Sequence, residues 1–309
     1  MKLIKASFNI IEQGPSIDGI YKIIEQAGRV CYKSEDKITE TSAREFVERM
    51  IKSGHGAMLE AGTIYLRYDF KAREDSNRVA CNLWSKYKEN IYSKAVQAQP
   101  ILGVLDGFVA ITSNFRVLVE NNWLDDLKYL CEPTEYHEKR VTVKFVCDRG
   151  VSHEFVRHRV FSFAQESTRY CNYSKDKFGN EITYILPIWS TMPVGEYEVD
   201  CIALSKIGQK EREDYTPDEQ FIEAITNAEW NYFHLLQLGW TPQQARAVLP
   251  NSLKTELVMT GFVSDWEHFF KLRDAGSAHP QAYELAHPLH MEFLRRGYIT
   301  DLYNEANPD

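Results

Sequence analysis

Long apolar runs are missing from this chain of 309 residues. The longest, such as Val117-Leu118-Val119, fall far short of the ~20 residues that a membrane-spanning helix needs. Residues Met1 to Lys5 alternate in the manner of an edge strand and lack the apolar core and cleavage site of a signal peptide. We therefore expect a cytoplasmic protein without a membrane partner.

Cysteine is sparse, and glycine-rich phosphate loops are absent. The six cysteines form no C-x-x-C pair and no dense framework of the kind found in small secreted domains, so reduced thiols are expected. Neither G-x-x-x-x-G-K followed by Ser or Thr nor G-x-G-x-x-G occurs. Their absence removes the common ATPase and Rossmann classes of nucleotide-binding protein.

Positive charge is also in deficit. The chain has 36 Lys and Arg against 44 Asp and Glu, for a net charge of −8. Nucleic-acid coat proteins hold the phosphate backbone with clustered basic residues, so this balance argues against a nucleic-acid partner. A local cluster of arginines within an acidic chain predicts one small anionic ligand held at a defined site.

No internal repeat, low-complexity segment or linker divides the chain, so we predict a single domain over residues 1–309. Alternating β-rich runs at Thr63–Tyr68 and Val141–Val146 predict strands, and residues 71–140 between them are predicted as an insertion with helical segments at 82–98 and 114–122. Helices outnumber strands without regular alternation, which favours an α+β fold in which long helices pack on a mixed or antiparallel sheet.

Capping patterns place three of the helices. Ser42 with Glu45, Thr241-Pro242 with Gln244, and Ser264 with Glu267 each read as a helix start, and Gly54 reads as the C-cap glycine of the first. The second helix must end near Pro250 and carries Arg246; the third should turn Trp266, Phe269 and Phe270 inward, with Arg273 at its end. A last helix is expected over residues 281–296, kinked or broken at Pro288.

The densest chemical signal is Arg157-His158-Arg159, followed after seven residues by Ser167-Thr168-Arg169-Tyr170. Guanidinium groups match phosphate and carboxylate geometry bidentately, so a phosphorylated ligand is the natural partner of this set. If the triplet closes a helix that begins near Val151, the Ser-Thr-Arg run lies in the following turn. The alternative is a solvated or ion-paired surface face, since such pairs are common and weak.

A metal hydrolase is the rival enzyme class, because His153-Glu154-x-x-Arg157-His158 is superficially similar to the H-E-x-x-H zinc signature. The two histidines are five residues apart, however, and so diverge from the single helix face that ligands at i and i+4 share. We therefore predict no metal site.

The complete string R-H-R, seven residues, S, x, R, Y resembles the signature of flavin-dependent thymidylate synthases. Further matches occur in order along the chain: Gly54-His55-x4-Glu60, Ala245-Arg246-x-Val248-Leu249-Pro250, and Trp266-x2-Phe269-x2-Leu272-Arg273 followed by Ser277-Ala278-His279. They spread from Arg29 to His279, which implies the fold of that family and not a borrowed motif.

The resemblance implies reductive methylation of dUMP to dTMP with FAD as hydride carrier, NADPH as reductant and 5,10-methylenetetrahydrofolate as one-carbon donor. It also implies a homotetramer whose active sites combine residues of several subunits. The flavin-binding residues would be His55, Glu60, Arg157, His158, Arg159, His268 and His279. The dUMP-binding residues would be Glu154, Gln165, Ser167, Thr168, Arg169, Arg246 and Arg273.

This sequence departs from the family at several positions. Gln165 stands where relatives have glutamate, Ala57 where threonine is frequent, and Phe262 and Ser264 where polar residues touch the flavin. Residues 71–140 and 175–219 have no counterpart in the smallest relatives. A non-catalytic flavin- or nucleotide-binding protein on the same scaffold is the alternative to the enzyme.

No cysteine stands in a Pro-Cys-His context, and a structural thiol is the preferred interpretation of Cys171. Without a thiolate to activate the uracil ring, arginines aimed at its carbonyl oxygens would stabilise the developing enolate as an oxyanion hole does. Arg273 is the first catalytic candidate and Arg246 the second. Ser167 has no obvious paired base, so a phosphate-binding role suits it better than a nucleophilic one.

Overall fold

A computed structural model describes residues 1–71, 74–98, 107–175, 178–197 and 214–300. The strands are β1 (Lys2–Ile4), β2 (Ser7–Ile11), β3 (Thr63–Phe70), β4 (Lys94–Ala98), β5 (Gly107–Asn114), β6 (Arg140–Asp148), β7 (Ser162–Gln165), β8 (Thr183–Ile185), β9 (Gly195–Glu196) and β10 (Lys254–Phe262). The α-helices are α1 (Ser16–Tyr32), α2 (Ser42–Lys52), α3 (Gly56–Leu59), α4 (Glu74–Lys88), α5 (Phe115–Glu120), α6 (Arg149–Phe155), α7 (Pro217–Gln237), α8 (Pro242–Ala245), α9 (Val263–Arg273) and α10 (Pro280–Arg295). Short 3-10 turns occupy Glu35–Lys37, Leu124–Tyr129 and Arg246–Val248.

A four-stranded antiparallel sheet in the order β2-β6-β10-β7 carries the main core. Its two long strands, β6 and β10, pair along their whole nine-residue length, from Lys254 opposite Asp148 to Phe262 opposite Arg140. Because side chains alternate across a strand, β10 serves both faces. Leu257 and Met259 pack in one apolar cluster, and Val258 packs in another on the opposite side.

Helices α9 and α10 cover the first face of this sheet. Trp266, Phe269 and Phe293 are fully buried there against Phe145 of β6, and Trp266 donates its indole N–H to the carbonyl of Val141 at 3.1 Å. Aromatic pairs of this kind contribute beyond their buried area. Helix α1 covers the second face, where Ala27 and Val30 pack near Ala164 and Val258.

Two smaller sheets flank the main one. Strands β3, β5 and β4 form an antiparallel sheet whose core includes Ile64, Leu66 and Ile111 with residues of α1, α2, α4 and α5. Strand β1 lies in the middle of the third sheet, parallel to β8 and antiparallel to β9, and its Leu3 is fully buried in a cluster with residues of α7. The expectation that the N-terminal strand lies at an edge is therefore wrong.

The α+β architecture is confirmed, as are the strands at 63–70 and 140–148, the last helix and the inward aromatics of α9. The last helix runs unbroken past Pro288. Thr241 and Gln244 form the expected capping box, and Arg246 begins the 3-10 turn that ends before Pro250. Gly54 adopts φ of +70° just after α2, the left-handed geometry expected of a C-cap glycine.

Two predicted helix caps and the predicted extent of one helix are wrong. Ser42 is already inside α2, and its hydroxyl donates to Glu25 at 2.8 Å instead of capping the helix. Helix α9 begins at Val263, where Asp265 accepts the N–H of Phe262, so Ser264 is not the cap. The helical segment expected to reach residue 98 ends at Lys88, because residues 94–98 pair with β5 as a strand.

None of the helices in the described ranges is long and apolar enough to cross a membrane. The single-domain organisation and the two insertions remain predictions, and residues 198–213 of the second insertion lie outside the described residues.

Candidate active site

A cleft of about 580 Å³ opens beside the C-terminal end of α1, the short helix α3 and the segment that follows β7. Six of the residues predicted from the sequence line this cleft: His55, Gln165, Ser167, Thr168, Arg169 and Arg246. Tyr170, the last residue of the same string, also lines it. The tertiary structure adds residues that no motif indicated: Cys31, Tyr32, Arg116, Arg149 and Glu166.

Hydrogen bonds to two neighbouring elements hold the Ser167–Tyr170 turn in place. The N–H of Glu166 donates to the carbonyl of Glu256 on β10, and the N–H of Ser167 donates to the carbonyl of Cys31 in α1. Strand β7 lies between the R-H-R triplet and this turn. The expectation that the Ser-Thr-Arg run lies in the turn directly after the helix is therefore wrong. The motif's second half is thereby fixed at the base of the cleft.

Four arginines line the cleft, and one of them, Arg116, is paired with Glu60 and Glu120, so the other three supply its unmatched positive charge. Arg246 donates to the hydroxyl of Thr168 at 3.0 Å, and the Arg169 guanidinium lies 5.3 Å from the Tyr170 ring centroid. Arg149, the first residue of α6, contacts the carbonyl of Glu166 at 3.5 Å. Among the residues the structure describes, none of these three guanidinium groups has a carboxylate partner. Arginines left without one in a concave site are suited to an anionic ligand.

The carboxylate of Glu166 does not neutralise these arginines, because it is bound elsewhere. It is buried and accepts from Lys254 at 2.9 Å. Lys254 in turn contacts Glu256, which also pairs with Lys33 and Lys144. Glu166 and this lysine-rich network form the wall of the cleft against β10.

A second group of predicted residues lies at the far end of α6. The Arg273 guanidinium donates from Nη1 to the Glu154 carboxylate at 2.5 Å, from Nη2 to the Glu154 carbonyl at 3.0 Å, and from Nε to Nε2 of His158 at 3.1 Å. The His268 ring lies 6.2 Å from that of His158. Because α6 rises ~1.5 Å per residue, Glu154 lies roughly 7 Å along its axis from Arg149 in the cleft.

The residues predicted to form one site therefore lie in two separate groups within a single chain. Arg157 and Arg159 are exposed on either side of the buried His158. His279 is exposed at the start of α10, with its ring 6.1 Å from that of Trp189. Glu60 pairs with Arg116 at 2.5 Å and lines a neighbouring pocket instead of the cleft. Arg273, the first catalytic candidate, does not line the cleft of this chain.

We expect the His158 imidazole to stay neutral well into the acid range. Burial, helped by Arg273 and His268, lowers its pKa to about 4, and accepting the Arg273 N–H at Nε2 requires the proton to sit on Nδ1. Since this pKa lies below that of an unfolded histidine, ~6.5, the linked stability is complete above pH ~6.5 and is lost as the pH falls toward 4.

An NMR titration of the His158 ring, assigned with His158→Asn, should give this low midpoint. In Arg273→Met the midpoint should rise toward the ordinary value. An unchanged midpoint in that variant would show that Arg273 does not influence the ring.

The thiols near the cleft are not arranged for nucleophilic work. Burial raises the pKa of Cys31 to about 11, and its sulfur lies 3.6 Å from that of Met58. Cys171 is fully buried in the apolar cluster of the third sheet, in agreement with a structural role. Within the described part of the chain, no three His, Cys, Asp or Glu side chains are grouped as a metal site requires.

The fold and the cleft together define a class: an α+β protein with an arginine-rich cleft. The family follows from comparison of the sequence with known families. Residues 133–295, more than half of the chain, match the family described as thymidylate synthase complementing protein, and the chain belongs to that family.

Curated relatives resemble the chain over about half its length. They include flavin-dependent thymidylate synthases of Pyrococcus furiosus, 26% identical over 52% of this chain and 56% of that protein, and of Corynebacterium aurimucosum, 32% identical over 45% and 51%. The chain spans about half the length of the curated relatives it matches.

Among solved structures, a UMP/dUMP methylase, PolB from Streptomyces cacaoi bound with 5-Br dUMP, aligns with a TM-score of 0.38 and 16% identity. That alignment covers 96% of this chain and 93% of the other.

Proposed function

We propose that this protein is a flavin-dependent thymidylate synthase that methylates dUMP to dTMP, with 5,10-methylenetetrahydrofolate as one-carbon donor and FAD as hydride carrier reduced by NADPH. The observation that carries the proposal is the cleft. In a chain of this family, three arginines without carboxylate partners converge there with Ser167 and Thr168.

The cleft residues suit a pyrimidine nucleotide. Arg149, Arg169 and Arg246 would neutralise the phosphate, to which the hydroxyls of Ser167 and Thr168 can donate. Gln165 is fixed by its own amide nitrogen, which donates to Ser152 at 2.9 Å and Thr255 at 3.3 Å. Its carbonyl oxygen is therefore the atom left to accept the N3–H of a uracil ring.

The residues present also fit a flavin dinucleotide. Arg157 and Arg159 are exposed guanidinium groups suited to a pyrophosphate, and no carboxylate in the described residues pairs with either. His158 keeps Nδ1–H as a donor because Nε2 is occupied by Arg273. When bound and reduced, the flavin would supply the hydride for the transferred carbon. Four further residues are assigned as flavin neighbours. His55 and Glu60 lie at or beside the cleft, His268 lies near His158, and His279 lies at the start of α10.

Guanidinium groups would polarise the uracil ring, because the raised pKa of Cys31 keeps it as a thiol. Arg246 is the catalytic candidate that a single chain places in the cleft. Arg273 is held by Glu154 and His158, so it would act on a nucleotide at that end of α6. A preorganised cation beside the ring carbonyl would stabilise negative charge on its oxygen, and the enolate character this gives the ring makes C5 nucleophilic toward the one-carbon unit.

We also propose a cytoplasmic homotetramer with active sites shared between subunits. Support comes from the division of the assigned residues, since the nucleotide cleft and the His158–Arg273 group lie at opposite ends of α6. A site that needs both groups would be complete if a second copy of the chain placed its His158–Arg273 group against this cleft.

The test is an anaerobic incubation of the protein with FAD, NADPH, methylenetetrahydrofolate and dUMP, with each component omitted in turn and dTMP measured by mass spectrometry. We expect dTMP only when every component is present. A bound flavin spectrum without dTMP would instead favour a non-catalytic flavin- and nucleotide-binding protein. Failure to bind either flavin or dUMP would reject the proposal altogether.

A further inference from the structure

A second pocket, of about 210 Å³, adjoins the cleft at Arg116, which lines both. Its walls are Glu60, Asn90, Tyr92, Asn114, Val117, Glu120 and Asn121 together with Arg116. All of them lie outside residues 133–295, the part of the chain that matches the family. We call it the amide pocket, because three asparagines line it.

Asn114 points to a ligand in this pocket. Its side chain caps α5, with Oδ1 accepting the N–H of Val117 at 3.1 Å, and this contact fixes which end of the amide is nitrogen. The residue is only 3% exposed, and the capping contact through Oδ1 is the hydrogen bond of its side chain in the described residues, which leaves Nδ2 accessible at the pocket wall. An amide donor without a protein acceptor at the wall of a pocket is available to an acceptor atom of a ligand.

The neighbouring side chains present further groups of both kinds. Asn90 uses Oδ1 to accept from the N–H of Tyr92 and from the hydroxyl of Ser93, which leaves its Nδ2 as a donor. Asn121 uses Nδ2 to donate to the carbonyl of Val117, which leaves its Oδ1 as an acceptor. The pocket thus combines donors and acceptors around the ring of Tyr92, which is 53% exposed.

Charge and size restrict the occupant. Arg116 is matched by Glu60 at 2.5 Å and Glu120 at 2.7 Å, so two carboxylates face one guanidinium and a phosphate or carboxylate would be repelled. A volume of 210 Å³ is below the roughly 300–1,000 Å³ of pockets that hold a whole ligand. A neutral part of a ligand whose remainder lies in the cleft would satisfy both limits.

We propose that the amide pocket is a subsite for an uncharged, nitrogen-rich bicyclic ring carried by a co-substrate that passes Arg116 from the cleft. The inference rests on the proposed function, which supplies two such rings, the pterin of the folate and the adenine of the dinucleotides. Both present adjacent donors and acceptors that amides read bidentately, and both can stack on tyrosine.

Asn114→Asp tests the subsite with two ligand fragments, 6-methyltetrahydropterin and adenosine, by calorimetry or NMR titration. The aspartate still caps α5 but cannot donate into the pocket. We expect the dissociation constant of one fragment to rise about tenfold. A pterin effect identifies the folate as the source, and an adenosine effect identifies a dinucleotide. Asn122→Asp, which adds the same charge beside the pocket without lining it, should change either constant less than about twofold.

Tyr92→Ala provides an independent variant, since no hydrogen bond of its hydroxyl holds the described structure together. Loss of stacking should weaken the same fragment about fivefold or more. If neither fragment binds the wild-type protein, or if Asn114→Asp and Tyr92→Ala bind as it does, the subsite is refuted. Titration of dUMP in the same samples separates this failure from that of the proposed function, because the dUMP constant depends on the cleft arginines and not on the amide pocket.

Discussion

Replacing Arg169 with alanine is expected to weaken dUMP binding about 10- to 150-fold, while the affinity for deoxyuridine, which has no phosphate, stays within about twofold. The range corresponds to the ~1.5–3 kcal/mol of a hydrogen bond to a charged group. Arg169 is exposed and its guanidinium contacts only the Tyr170 ring among the described residues, so the fold should be unaffected. Calorimetric titration of both ligands measures the effect.

Arg295→Ala is the matched control, because Arg295 is an exposed arginine that pairs with Glu292 on α10, away from the cleft. It should leave both affinities unchanged. Equal losses for dUMP and deoxyuridine in Arg169→Ala would mean that this side chain contacts the base or sugar. No loss for dUMP would remove Arg169 from the phosphate site.

Removing the carboxylate of Glu256 should cost the largest amount of stability of any single change proposed, about 3–5 kcal/mol for Glu256→Ala. The side chain is buried on β10 and pairs with Lys33 at 2.8 Å, Lys144 at 2.5 Å and Lys254 at 2.6 Å. Without it, Lys144 loses its carboxylate partner, Lys33 is left with Glu35 and Lys254 is left with Glu166. Removing the shared partner of a partly buried charge network carries penalties of that size. Urea unfolding followed by circular dichroism measures the change.

Glu292→Ala serves as the control, since that partly exposed carboxylate also pairs with two basic residues, Arg295 and Arg296, yet should change stability little. A small effect at Glu256 as well would show that water or a shifted lysine replaces its charge.

The same carboxylate predicts an acid dependence. Burial would raise the pKa of Glu256, but the charges and hydrogen bonds of Lys254, Lys144 and Lys33 outweigh it and hold the pKa well below its usual range. The stability from this group is therefore complete above the unfolded pKa of ~4.3 and is lost as the pH falls below it. The stability difference between wild type and Glu256→Gln should shrink over that range.

Local patterns in the sequence were sufficient for much of the fold. Alternation predicted the strands at 63–70 and 140–148, and the three-four spacing of Trp266, Phe269 and Phe270 predicted the buried face of α9. These inferences succeed because the period of a strand or helix and the requirement to bury one face are properties of short segments. The errors at Ser42 and residues 94–98 arose where a distant partner overrode the local preference, as when Glu25 binds the hydroxyl of Ser42. At Ser264 a competing local cap, Asp265 with Phe262, starts the helix earlier.

For the site, the sequence by itself determined which groups are present and the family they indicate: arginines and hydroxyls from which a phosphorylated ligand is predicted, in a pattern typical of one family. Only the tertiary structure placed Arg149 in the cleft, separated Arg273 from it through Glu154, and enclosed the amide pocket around Asn114. These features depend on contacts between residues far apart in the chain, such as Arg149 with Glu166 at a separation of 17 and Arg273 with Glu154 at a separation of 119. A sequence pattern encodes which groups are available, whereas the packing of β6, β7 and β10 against α1, α6 and α9 decides which of them meet.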